Sequence, residues 1–192
     1  MKKKLLYIIP IIFVLLLVGC KKDETNDALK FSEEYTQVDK YNYFVYRNAE
    51  EIIKILENGT GVVYLGFPEC PWCQTYVKYL NEVADMEGLE KIFYFNILED
   101  RKNNTNNYQK IVKKLNDYLR YDEEGNKKVY VPAIIFVSEG EIIGFDDETS
   151  YDTKGFENPN EYWNETAVSE LKTRLTNMMT PILNNKCTEC NE

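Results

Sequence analysis

Gly61–Tyr79, GVVYLGFPECPWCQTYVKY, is the stretch that decides how this chain is read. Val62-Val63-Tyr64-Leu65 is an apolar run of the kind that fills a strand buried on both faces. Phe67-Pro68-Glu69 breaks the run. After Cys70-Pro71-Trp72-Cys73 the apolar residues Tyr76, Val77, Leu80, Val83 and Ala84 recur at helical spacing. Two thiols therefore stand where a buried strand turns into a helix. The first N–H groups of a helix have no intrahelical acceptor and the dipole there is positive. A thiolate is favoured at that point, and the exposed first sulfur, Cys70, can act as a nucleophile. Pro71 suits the first turn, where the N–H it lacks would have had no partner. The arrangement suits thiol-disulfide exchange.

Working outward, the dithiol helix extends to Glu87-Gly88, and Lys91–Leu98 reads as the next strand. Upstream, Tyr41–Tyr46 is aromatic and β-branched and predicts a first strand. Asn48 caps a short helix carrying Ile52, Ile53, Ile55 and Leu56, which Asn58-Gly59-Thr60-Gly61 ends. Downstream, Asp100–Asn107 is polar and predicts a loop. Tyr108, Ile111, Val112, Leu115, Tyr118 and Leu119 form one helical face within 108–121. A turn at 122–128 leads to the strands Val129–Val137 and Glu141–Phe145, joined as a hairpin through Ser138-Glu139-Gly140. An acidic loop follows, then a last helix from about Pro159 to Met179 that Pro181 is expected to end. The alternation predicts an α/β domain over 41–183, with a tail at 184–192 carrying Cys187 and Cys190.

The N-terminal end reads differently. Lys2-Lys3-Lys4 precedes Leu5–Val18, an apolar stretch about 21 Å long as a helix, too short for a hydrocarbon core of about 30 Å. Residues 1–19 therefore read as a signal peptide. Leu17-Val18-Gly19-Cys20 resembles a bacterial lipobox, in which Cys20 is lipidated and becomes the first residue. Lys21 to about Lys40 is polar, with Ala28, Leu29, Phe31, Tyr35 and Val38 scattered through it, and is expected to be a flexible tether. The expected location is extracytoplasmic, on the outer face of the cell membrane.

The net charge is −9 over 192 residues, and residues 1–19 carry three of the lysines, leaving −12 on the remainder. Nucleic acid is accordingly not an expected partner. The chain has no histidine, which excludes a Cys-His nucleophile pair, a histidine-based serine triad and any His-containing metal site.

With Cys70-Pro71-Trp72-Cys73 at a strand-to-helix turn and Val131-Pro132 opening the apolar run Ala133-Ile134-Ile135-Phe136-Val137, the chain resembles the thioredoxin superfamily over about 41–183. With its lipobox it is more narrowly similar to thioredoxin-like lipoproteins of Gram-positive bacteria, some described as bacteriocin transport accessory proteins. The resemblance implies a thioredoxin-like fold, a mixed central sheet flanked by helices. It implies Cys70 as attacking thiolate, Cys73 as resolving thiol, and Pro132 as a cis-proline against the dithiol. Val131 and an exposed Trp72 become the expected substrate contacts. The implied activity is thiol-disulfide exchange with exported proteins, with a membrane electron donor as a further partner and no cofactor.

Two features depart from the pattern. Pro71-Trp72 replaces the Gly-Pro of thioredoxin and is closer to the Pro-aromatic pair of glutaredoxins. Thioredoxins keep a buried acid six residues before the first cysteine, and here that residue is Tyr64. Either Glu69 or water then handles the proton, with a solvated surface acid as the plainer reading of Glu69. Phe67, Phe145, Tyr151, Phe156, Tyr162 and Trp163 are further candidates to line a peptide-binding surface. Two other readings stay open: a redox-inactive binding module for export, and a metal-binding protein using Cys70, Cys73, Cys187 and Cys190.

Overall fold

The computed structural model describes residues 24–147 and 155–189. At its centre the Gly61–Gly66 strand is buried at every residue, as its apolar run requires, and the chain then enters the helix Pro71–Glu87. The described elements are α1 (Glu24–Glu34), β1 (Phe44–Tyr46), α2 (Ala49–Asn58), β2 (Gly61–Gly66), α3 (Pro71–Glu87), β3 (Ile92–Asn96), α4 (Leu98–Lys102) and α5 (Asn106–Lys114). They continue with β4 (Arg120–Tyr121), β5 (Lys127–Lys128), β6 (Ala133–Ser138), β7 (Glu141–Asp146), α6 (Pro159–Tyr162) and α7 (Glu165–Glu189).

Five strands form one mixed sheet in the order β1-β3-β2-β6-β7, and β4 with β5 forms a separate two-stranded ribbon. β3 lies between β1 and β2, parallel to both, whereas β6 and β7 are added antiparallel. The crossovers from β1 to β2 and from β2 back to β3 run in opposite directions across the sheet. Right-handed connections then put α2 and α3 on opposite faces. α5 packs with α2, and α7 packs with α3. The molecule is thus a mixed α/β structure with a sheet flanked by helices, and β2, paired on both edges and covered on both faces, delivers the dithiol.

Local chemistry sets the element ends. Asn48 and Glu51 form a reciprocal capping box at the start of α2, and Gly88 closes α3 with φ 71°. Gly140 turns β6 into β7 at φ 79°, and a Cβ there would strike the Glu57 carbonyl.

The expected tether at 20–40 is corrected over its described part. α1 occupies Glu24–Glu34, and Ala28, Phe31, Tyr35 and Val38 are buried. Phe31 stacks on Phe44 and Tyr35, with ring centroids 3.9 and 4.3 Å apart. These apolar residues are spaced three and four apart, which is one helical face, and their partners are distant in sequence. The Asp27 carboxylate accepts the Tyr46 N–H at 2.9 Å, covering part of the edge strand β1.

The helix expected to end before Pro181 instead runs through it to Glu189. The proline removes one backbone bond, but Met179 and Ile182 are both buried and continue the packed face across it. The polar stretch expected as a loop contains the end of α4 and the start of α5, where the Thr105 hydroxyl accepts the Tyr108 N–H. The expected turn at 122–128 does turn the chain, between the short paired strands β4 and β5. Among the described residues no helix is long and apolar enough to cross a membrane.

Candidate active site

Cys70 is the N-cap residue of α3, and its sulfur accepts the Cys73 N–H at 3.2 Å. Thus the Cys70 sulfur itself takes up one of the N–H groups that a helix start leaves without an intrahelical acceptor. Phe67 O accepts the Cys70 N–H at 3.2 Å, which folds the Phe67-Pro68-Glu69 loop tightly beneath the sulfur. Gln74 ties the loop down from the first turn of α3, donating to Pro68 O at 2.9 Å and to Glu34 O at 2.8 Å. The second bond joins the C-terminal end of α1 to the site.

The sulfurs differ in environment. Cys70, expected to be exposed, is buried with only 9 % exposure, Cys73 has none, and the two thiols are unlinked. The Cys70 thiol is held below its ordinary pKa. The hydrogen bond from the Cys73 side chain is the main cause; the Cys73 and Trp72 N–H groups and the Arg101 charge assist, against burial. Burial pushes the Cys73 thiol well above the ordinary value, and the neighbouring Cys70 sulfur adds to the rise. One thiol ionises readily and the other does not.

The Val131-Pro132 peptide bond is cis, and Val131 and Pro132 are buried beside the dithiol. Cys70 Sγ donates to the Val131 carbonyl at 3.9 Å, so the residues expected as a pair from sequence do meet in space. Trp72 is corrected: it is half-buried rather than exposed, edge-on to Tyr162 with ring centroids 5.4 Å apart. Trp163 belongs to the same group, its indole N–H donating to Thr75 Oγ1 at 2.9 Å, and Phe156 stands edge-on to Tyr162 at 5.9 Å. Phe145 is elsewhere, tilted against Tyr118, and Tyr151 lies outside the described residues.

Glu69 is exposed on the loop, and no described hydrogen bond joins it to either sulfur. Cys20 and Cys190 lie outside the described residues, as does the Cys187 side chain. Among the described residues no group of three or more thiols and carboxylates converges as a metal site would require.

Arg101 was not legible in the sequence. It projects from α4, its guanidinium over the Phe67 ring at 4.9 Å and donating to Val129 O at 3.3 Å. It thereby clamps the dithiol loop to the segment before Pro132 and brings a positive charge to Cys70. No spacing rule connects residue 101 to residues 67, 70 and 129. No family model, curated protein or solved structure matches the chain.

Proposed function

We propose that the chain is a thiol-disulfide oxidoreductase of thioredoxin-like fold, tethered by lipid on Cys20 to the outer face of the membrane and acting on exported proteins. The observation that carries the reading is the seat of Cys70, whose sulfur caps α3 while resting against the carbonyl of the cis Val131-Pro132 pair. In the reducing direction the Cys70 thiolate attacks one sulfur of a substrate disulfide, forming a mixed disulfide and expelling the other sulfur as a thiolate. Cys73 then attacks Cys70 Sγ. The Cys70–Cys73 bond forms, the bond to substrate breaks, and two electrons have passed from the dithiol to the substrate. Run backwards, the same steps oxidise a substrate dithiol. The reduction potential of the couple sets the direction.

The test is insulin reduction by the full chain in mild detergent with dithiothreitol as electron source. Wild type is expected to accelerate the reaction and Cys70→Ser to abolish the acceleration. Wild type no faster than dithiothreitol alone would overturn the reading.

A further inference from the structure

Cys73 must lose its proton to attack, yet its thiol is completely buried. What surrounds it is a set of tyrosines. Tyr64 of β2 stacks on Tyr94 of β3 with ring centroids 5.6 Å apart, and Tyr35, just beyond α1, stands edge-on to both. The Tyr35 hydroxyl donates to the Tyr94 hydroxyl at 3.2 Å. The Tyr64 hydroxyl is wholly buried and no partner meets full hydrogen-bond geometry, although the Cys73 thiol and the Tyr35 hydroxyl are close enough to act on it. It sits against Gly66, where a Cβ would collide with the oxygen, and next to the Cys73 sulfur. A buried donor without an acceptor costs free energy. Here the Cys73 thiol, which changes charge in the resolving step, lies next to it.

We propose that Tyr64 is the hydrogen-bond donor that stabilises Cys73 as a thiolate in the resolving step, an inference that rests on the oxidoreductase reading above. Cys73 gives its proton to water before it attacks, the substrate sulfur leaves as a thiolate that takes up a proton from water according to its own basicity, and Tyr64 keeps its own proton throughout. Burial holds the Tyr64 hydroxyl well above its ordinary pKa, so it serves as a donor and not as a base. Gly66 then has a stated role: its missing side chain leaves the space that the hydroxyl occupies.

The steps separate in the reaction of the reduced full chain with 5,5′-dithiobis(2-nitrobenzoate). Attack by Cys70 releases a first thionitrobenzoate, and attack by Cys73 on the mixed disulfide releases a second. Tyr64→Phe is expected to slow the second release about tenfold, equivalent to about 1.4 kcal/mol in the barrier. It is also expected to move the pH profile of the second release upward, while the first release stays within twofold. A second release within twofold of wild type, or equal slowing of both, would overturn the proposal. Absence of any rapid first release from wild type would instead sink the oxidoreductase reading. Should Tyr64→Phe not fold, 3-fluorotyrosine at position 64 keeps the ring and makes the hydroxyl a stronger donor. The second release should then quicken, and no change would count against the proposal.

Discussion

The sulfur of Cys70 both caps α3 and forms the outer member of the pair, so its ionisation and the helix start are coupled. Iodoacetamide should modify Cys70 at least tenfold faster than Cys73 at pH 7, with a half-maximal rate below the pH of an ordinary thiol, read by peptide mass spectrometry. Equal rates would reverse the assignment. Arg101→Ala should slow Cys70 alkylation at pH 6 and, by freeing Phe67 and Val129, destabilise the fold by about 1 kcal/mol in denaturant titration. Arg101→Lys should restore the charge effect better than the stability, since lysine lacks the planar fork. Asp147 shows a different dependence. Burial pushes its carboxyl up to about 6, with Asp146 adding and Arg120 opposing. The raised value means that stability from neutral Asp147 is complete below about pH 4 and is lost as pH rises through 6. Asp147→Asn should therefore gain melting temperature over wild type as pH rises from 4 to 6 and hold that gain above it. A gap independent of pH would contradict the account.

At the level of elements, α1 turns a stretch of chain expected to be solvated into part of the core. Phe31→Ala removes a fully buried ring that meets Phe44, Tyr35 and Tyr94, and should cost about 3–5 kcal/mol by chemical denaturation. A solvated tether would show no change. The contrast explains what sequence could and could not reveal. β2, α3 and the Gly88 end were legible because their signals are local: an apolar run, a helical period and a left-handed glycine. The cysteines and Val131-Pro132 were legible as motifs. α1 was not, because the helical spacing of four apolar residues in a polar segment becomes a packed helix only once β1 offers Phe44 to receive them. Arg101, Gln74 and the Tyr35–Tyr94 pair escaped for the same reason. Each acts through an approach between segments far apart in the chain, and no period records such an approach.

Across the whole molecule, α7 sets how far the backbone of Cys187 stands from the dithiol. Trp163, bonded to Thr75 in the first turns of α3, stands two residues before α7, which then rises through 22 residue steps from Glu165 to the backbone of Cys187, or about 33 Å. Deleting 186–192 should therefore leave insulin reduction by the full chain within twofold of wild type, whereas a loss beyond tenfold would show that the end of the chain reaches the site. Ending the chain after Thr180 should do worse, because Ile182 is fully buried and its loss alone is expected to cost about 2–4 kcal/mol. The opposite end of the chain has a bearing on reach. With α1 belonging to the domain, only Lys21, Lys22 and Asp23 separate Cys20 from Glu24, a leash of at most about 14 Å instead of the roughly 70 Å that twenty free residues would allow. α1 adds a rigid arm of about 15 Å from Glu24 to Glu34, whose carbonyl is held by Gln74 beside the dithiol. On the proposed anchorage, the catalytic sulfur patrols a shell within about 30 Å of the bilayer, and clients must present their cysteines at the membrane surface as they emerge.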